Sequence, residues 1–312
     1  MFRKVLLRIG AGVVLILAIV LVTIGLRWDR QFDAPYPRLA ASPDSAVVAR
    51  GRYLAYGPAH CAECHTAPAD FPGLRTGRSP PLSGSRAFAI PPGTIRVPNL
   101  TPDSATGIGR LSDSALARML RYGVRPDGRA AIPFMEFHEM SDADIVALLS
   151  FLRSQPAVRN PVPDHEFNLM GKAVMAFVMK PIGPLPSATP LAESPPPGPS
   201  VERGAYLVTA VSNCAGCHTQ RNMMTGAFTG PRLAGGTEME TDAKKPIKVT
   251  PPDITADSTG RAALWTEADF IARFRAGERI PGSPMPWVAF SRMSDDDLRA
   301  IYRYLRTVRR VT

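Results

Sequence analysis

Cys61-Ala-Glu-Cys64-His65 and Cys214-Ala-Gly-Cys217-His218 are two copies of one pattern, C-x-x-C-H, and together they use all four cysteines of the chain. Two cysteines three apart share one helical turn, so both thiols reach the two vinyl groups of one porphyrin, and the next residue supplies an imidazole nitrogen to its iron. The pattern therefore predicts two covalently bound haem c groups, with His65 and His218 as iron ligands. A thioredoxin-like redox pair would need a βαβ setting and no following histidine. A zinc site could use two C-x-x-C pairs, but these lie in separate repeats and would leave both histidines without a role. With every cysteine in a thioether, no disulfide is expected.

The repeat extends outward from the motif. Gly51-Arg-Tyr53-Leu54 precedes the first copy, and Gly204-Ala-Tyr206-Leu207 precedes the second at the same distance. Asn99-Leu-Thr-Pro-Asp103 corresponds to Asp253-Ile-Thr-Ala-Asp257. The run Leu111 to Gly123 matches Trp265 to Gly277, and Met140-Ser141-Asp142 matches Met293-Ser294-Asp295. A period this long is a domain duplication, not a solenoid. Ser141 and Ser294 read as helix N-caps, with Asp144 and Asp297 as variant capping-box partners. Ile145, Leu148, Leu149 and Leu152 then form one apolar face, as do Leu298, Ile301, Tyr302 and Leu305. Ser112 and Thr266 cap the middle helices, which end at Gly123 and Gly277. The reading is all-α, with no convincing sheet, and 32 prolines favour loops and short helices. Its divisions are 1–36 (N-terminal anchor and flank), 37–160 (first haem domain), 161–200 (connection) and 201–312 (second haem domain). In the connection, 165–180 reads as a short amphipathic helix and 181–200 as a proline-rich spacer.

The N-terminus carries Arg3, Lys4 and Arg8, then an uncharged, mainly apolar stretch from Ile9 to Leu26. At ~1.5 Å per residue that stretch reaches about 27 Å, close to the ~30 Å hydrocarbon core of a bilayer. No A-x-A-like cleavage site follows Leu26, so an uncleaved transmembrane signal anchor is expected. The preceding cations put the N-terminus in the cytoplasm, which for a bacterium means a single-pass inner-membrane protein with its haem domains in the periplasm. The formal charge of +10 is scattered and rich in arginine. A nucleic-acid partner is not expected in that compartment. An acidic redox partner or anionic lipid remains compatible with the charge.

The ligand opposite each histidine decides between closed electron carriage and an open iron. In the second repeat Met285, in Ser283-Pro-Met-Pro-Trp287, is the candidate. In the first, the register counted back from Met140 falls on Ile132, which cannot bind iron. Met135, in Pro133-Phe-Met135, is the leading candidate there, His138 a rival and Met140 a third. His60 and His165 read as surface or packing residues, and Tyr53 and Tyr206 as aromatic contacts between helices, with the edge of a haem pocket as the alternative. Arg96 is either a propionate partner or a solvated cation.

These residues resemble the cytochrome c subunits of bacterial membrane-bound alcohol, aldehyde and gluconate dehydrogenases. The resemblance rests on Gly51-Arg-Tyr-Leu, Cys61-Ala-Glu-Cys-His-Thr66, Asn99-Leu-Thr-Pro-Asp103, Thr106-Gly-Ile-Gly109, Ser283-Pro-Met-Pro-Trp287 and Met293-Ser-Asp-Asp-Asp-Leu298, spread from Gly51 to Leu305. It implies two tandem cytochrome c domains, His65 and His218 proximal, Met285 distal, and electron transfer from a periplasmic dehydrogenase toward the respiratory chain. Two features depart from it: such subunits carry three haem motifs where this chain has two, and the loop after Met135 is short. The expected role is a single-electron carrier with no catalytic residues, between periplasmic donor and acceptor proteins. The rival is a haem enzyme, a dihaem peroxidase or thiosulfate-oxidising cytochrome, with a displaceable ligand at the first haem.

Overall fold

A computed structural model describes residues 2–135, 137–184, 191–222, 226–240, 247–258 and 260–309. The chain begins with α1 (Phe2–Arg27), one uninterrupted helix. Its apolar window has a mean hydropathy of 2.9 and none of it is buried, so it is long and apolar enough to cross a membrane. Only near its C-terminal end, at Ile24, does the helix become buried.

The first repeat contains α2 (Ser45–Tyr56), α3 (Cys61–His65), α4 (Phe71–Arg75), α5 (Asp113–Tyr122) and α6 (Asp142–Ser154). The connection contributes α7 (Leu169–Phe177), and the second repeat begins with α8 (Val201–Tyr206), which runs into a π turn at Leu207–Val211. It continues with α9 (Cys214–His218), α10 (Glu267–Arg275), α11 (Trp287–Phe290) and α12 (Asp295–Leu305). The expectation of no sheet needs adjusting. β1 (Ala87–Ile90), β2 (Gly93–Arg96) and β3 (Glu166–Phe167) form a small antiparallel sheet in that order, and β4 (Met239–Glu240) pairs with β5 (Lys248–Val249). These strands of two to four residues are too short to show an alternating pattern, so periodicity passed over them. The molecule remains mainly helical.

Each repeat is built on one helix crossing. A Cβ placed on Gly51 of α2 would lie 1.8 Å from the Ala147 carbonyl oxygen of α6, and one on Gly204 of α8 would lie 1.9 Å from that of Ala300 in α12. Only glycine lets the two backbones approach this closely. Around the crossings Leu54, Ile145, Leu149, Leu207 and Leu298 are fully buried, and both repeats contribute to one continuous apolar cluster.

The helix caps follow the sequence, with one instructive difference. Ser112, Ser141, Thr266 and Ser294 all accept backbone N–H bonds at their helix starts, and Thr266 forms a complete capping box with Asp269. Asp144 and Asp297 do not reach back to their cap amides. Arg50 binds Asp144 through two nitrogens at 2.9 and 3.0 Å, and Arg203 binds Asp297 at 2.9 and 3.2 Å. The cap amides donate instead to tyrosines of the opposite repeat: Ser141 N–H to the Tyr206 hydroxyl and Ser294 N–H to the Tyr53 hydroxyl, both at 3.0 Å. Each hydroxyl then donates onward, Tyr206 to Asp144 at 2.8 Å and Tyr53 to Asp297 at 2.6 Å. The tyrosines expected to act by ring contact therefore act by their hydroxyls, and the exchange is reciprocal. Ala289 N–H to Glu63 Oε1 at 2.9 Å and the edge-to-face pair His60–Phe290 add to the same interface.

The last part of the connection, from Leu191 on, is held in place. Carbonyls of Leu191 and Ala192 accept from the Asp142 and Ala143 amides at the start of α6, and Arg303 donates to the Pro199 carbonyl at 2.7 Å. Such orphan amides of a first turn need an acceptor from outside the helix.

Two outcomes are expected. Gly204→Ala gains up to ~1 kcal/mol of helix propensity but forces the crossing apart, so a net loss of about 2 kcal/mol is expected. A urea midpoint that stays put or rises would contradict the close approach. The second concerns pH. Burial, then the Asp297 carboxylate, pushes Tyr53 up to about 12, and burial and Asp144 raise Tyr206 as well. The folded state holds protons that a free tyrosine releases near ~10. Their contribution is complete below that pH and disappears as pH rises through the folded values. Unfolding midpoints should fall above pH ~10, and the double variant Tyr53→Phe/Tyr206→Phe should show a shallower fall.

Candidate functional site

The two C-x-x-C-H segments are single helical turns, α3 and α9, each entered through a left-handed residue. His60 has φ 42° and Asn213 has φ 47°, a conformation that Asn and His tolerate better than most side chains. The carbonyls of these residues accept from the Glu63 and Gly216 amides at 3.0 Å, which starts the turn. Arg86 and Arg221 donate to the Glu63 and Gly216 carbonyls, one turn position matched in both repeats. Cys61 is buried, Cys64 and Cys214 half-buried and Cys217 exposed. Burial pushes the thiols of Cys61 and Cys214 up to about 12 and raises that of Cys64, so these three remain neutral S–H groups at neutral pH.

Each histidine is committed to one tautomer. His65 is buried, and burial pushes it down to about 4, with its Pro98 bond opposing that shift. His218 is lowered for the same reason. Both imidazoles are neutral at pH 7. Nδ1 of His65 lies 3.0 Å from the Pro98 carbonyl oxygen, and Nδ1 of His218 lies 2.8 Å from that of Pro252. A carbonyl only accepts, so Nδ1 carries the proton and Nε2 keeps its lone pair. Two thiols on one turn beside an imidazole with a free Nε2 are a donor set that suits covalent haem and iron.

The acceptor carbonyls are themselves held. Asn99 Oδ1 accepts from the Thr101 amide and hydroxyl at 2.9 and 2.8 Å, and Asp253 Oδ1 accepts from the Thr255 amide and hydroxyl, both at 2.7 Å. The Gly84 amide donates to the His65 carbonyl at 2.7 Å, and the Gly235 amide to that of His218 at 3.0 Å. Pro98 and Pro252 escaped the sequence reading. Their signal was the proline before each half of the Asn99/Asp253 repeat, Pro-Asn-Leu-Thr and Pro-Asp-Ile-Thr.

Met135 and Met285 are both half-buried against the apolar cluster that also takes in Cys61 and Cys214. Met285 stands just ahead of α11, where Trp287 Nε1 donates to Ser283 Oγ at 3.1 Å and the Arg273 guanidinium lies 3.7 Å from the Trp287 ring centre. Met140 and Met293 are fully buried core residues whose carbonyls accept from Arg121 and Arg275. The same two arginines bind the carbonyls of His138 and Ser291, so His138 occupies the place of Ser291 and not that of Met285. Five steps separate Met285 from Phe290, but two separate Met135 from Phe137, the buried counterpart of Phe290. The described residues of the first repeat thus include no counterpart of the α11 turn; Glu136, within that shortened loop, lies outside the described residues. Away from these sites, Arg96 pairs with Glu166, and its amide donates to His165 Nδ1.

Residues 201–309 match the family described as cytochrome c. This segment is a cytochrome c domain. Domains of that family carry covalently bound haem c and pass electrons, and the α9 turn, the Pro252 carbonyl and Met285 all fall within it. The whole chain is 31% identical to the cytochrome c subunit of a quinone-dependent alcohol dehydrogenase from Gluconobacter oxydans, over 86% of this chain and 56% of the relative. It is 27% identical to the fructose dehydrogenase cytochrome subunit of Gluconobacter japonicus, over 93% and 57%. It is 28% identical to a dihaem cytochrome c-type protein of Cereibacter sphaeroides, over 80% and 81%. The chain spans little more than half the length of the two dehydrogenase subunits and most of the dihaem protein.

Asp253→Ala removes the acceptor that fixes the Pro252 loop. It should lower the stability of the cytochrome c domain by about 1–2 kcal/mol, read as an earlier urea midpoint; an unchanged midpoint would show the loop held by other means.

Proposed function

We propose that the protein is a membrane-anchored, periplasm-facing dihaem cytochrome c that carries single electrons between a dehydrogenase, or another periplasmic donor, and the respiratory chain. The observation that carries the reading is the histidine of each C-x-x-C-H turn, with Nδ1–H committed to a proline carbonyl and Nε2 left for iron. It recurs in both repeats. In this reading residues 37–160 and 201–312 are two haem domains, 1–36 the anchor and 161–200 the connection. Cys61 and Cys64 hold one haem and Cys214 and Cys217 the other. His65 and His218 would each give the iron an imidazole nitrogen, and Met135 and Met285 a thioether sulfur.

When bound, haem supplies a reversible one-electron iron couple. The residues of the chain orient and tune it. The proline carbonyls fix each imidazole plane and raise the basicity of Nε2. The thioethers of Met135 and Met285 would be soft sulfur donors to that iron, stabilising its reduced form and so raising its potential. The shared apolar core backs both sites, and the Tyr53 and Tyr206 bonds keep them at a fixed separation. Support for the location comes from α1 and from the cations Arg3, Lys4 and Arg8 that precede its apolar stretch. Support for a dehydrogenase partner comes from the names of the relatives. The shortened loop after Met135 favours a second reading confined to the first repeat, in which its iron has a displaceable ligand and performs peroxide or sulfur chemistry.

The test is haem content and carbon monoxide binding of the purified full chain. The carrier reading expects two haems per chain by alkaline pyridine spectrum, one in His218→Ala, and no carbon monoxide spectrum after full reduction. Stoichiometric carbon monoxide binding by one haem would replace the carrier reading with the second. A single haem in the unaltered chain would overturn the dihaem assignment.

A further inference from the structure

The connection between the repeats exposes apolar surface on α7. Gly171, Met175 and Ala176 face inward, and a Cβ on Gly171 would lie 2.1 Å from the Pro92 carbonyl oxygen, so this side is pressed onto the β1–β2 hairpin. The other side repeats at helical spacing: Leu169, Ala173 and Phe177 along one line, Met170 and Val174 along the next. Leu169 is 58% exposed, Met170 48%, and Phe177 49%, and Ile182 just beyond is 40% exposed. Among the nine residues of α7, Lys172 alone carries a charge.

This face continues the surface of α1. The two helices pack together at the end where α1 becomes buried. Trp28, one residue past α1, makes an edge-to-face contact with Phe167, and the Lys172 ammonium lies 5.1 Å from its ring centre. The Arg30 guanidinium donates to the Met179 carbonyl, tying the far end of α7 to the same flank. Tryptophan and basic side chains gather at the membrane–water boundary, where an aromatic ring tolerates both phases and a long cation reaches phosphate.

We propose that α7 is an interfacial helix whose Leu169–Met170–Phe177 face lies in the headgroup–acyl boundary of the bilayer that α1 crosses. The proposal rests on the anchoring reading above. The occupant is lipid because the face is purely aliphatic and aromatic, without the polar groups that give a protein contact its register, and because it is continuous with a helix already suited to hydrocarbon. Lys172, Lys180 and Arg27 flank it and meet phosphate groups. The first repeat is thereby laid against the membrane instead of swinging on a single helix.

The test uses the full chain reconstituted in vesicles of phosphatidylethanolamine and phosphatidylglycerol, kept oxidised so that the nitroxides survive and oxygen can serve as a collision reagent, with each label's relaxation without either reagent subtracted. Nitroxide labels are attached at Leu169→Cys or Phe177→Cys, with Leu15→Cys in α1 and the 94% exposed Leu264→Cys as references. With the native cysteines in thioethers, each introduced cysteine is the single free thiol. The ratio of oxygen to nickel-chelate collision rates at positions 169 and 177 should exceed that at 264 several-fold and approach that at 15. A ratio like that at 264, with position 15 still in lipid, would overturn the interfacial helix and leave the anchor standing. Shielding from both reagents would overturn it in favour of a protein contact. Chelate access at position 15 would overturn the anchoring reading and the proposal with it.

Discussion

Two buried carboxylates, Asp144 and Asp297, carry the architecture. Each sits in the first turn of the last helix of its repeat, where the positive end of the helix favours a negative charge. Each is gripped by an arginine from the first helix of the same repeat and by a tyrosine from the other repeat. One side chain therefore fixes both the helix crossing and the contact between repeats. Taking such a charge out of water is expensive, and the arrangement tolerates it only because every partner is present. Removing one partner strands the others without water, which is why such networks specify one arrangement more than they add net stability.

From that frame the two haem-motif turns follow. Beyond each glycine crossing the helix runs out, a left-handed residue redirects the chain, and the motif begins. The return of the chain past Pro98 or Pro252 brings a carbonyl to Nδ1. The two repeats share this logic down to single hydrogen bonds, and two of their differences lie close to it. α8 passes into a π turn where α2 stays α-helical, and the loop bearing Met285 carries the turn α11, which has no counterpart among the described residues of the shorter Met135 loop. The divergence beside the methionines falls where the iron environment would be set, so chemical difference between the repeats concentrates there.

The legible part of this structure was written in short-range chemistry. C-x-x-C-H named a cofactor, serine and threonine before apolar periodicity marked the helix starts, and an uncharged, mainly apolar stretch marked α1. The helix read across 165–180 appears as β3 and α7, its edges shifted by the sheet that a two-residue strand completes. What escaped depended on partners distant in sequence. Nothing local tells that Tyr53 will find Asp297, or that Asp144 will prefer Arg50 to its own cap amide. The proline carbonyls that hold His65 and His218 belong to the backbone, which every residue has, so no side-chain pattern announces them. The paired prolines were the available trace, visible only once the two repeats are laid over each other.

The reciprocal tyrosine exchange has a further consequence for assembly. Both halves of the contact are made of the same residues in the same roles, so the second repeat of one molecule presents what the first repeat of another would accept. Such a chain is open to domain swapping when its repeats part at high concentration. A flexible tether would keep the effective concentration of the native partner near the millimolar range, which alone is a modest bias. Here the segment after Leu191 is fastened to the first turn of α6, and its end to Arg303, so the second repeat re-enters next to its own partner. The fastening makes closure within one chain the short path and exchange between chains the long one.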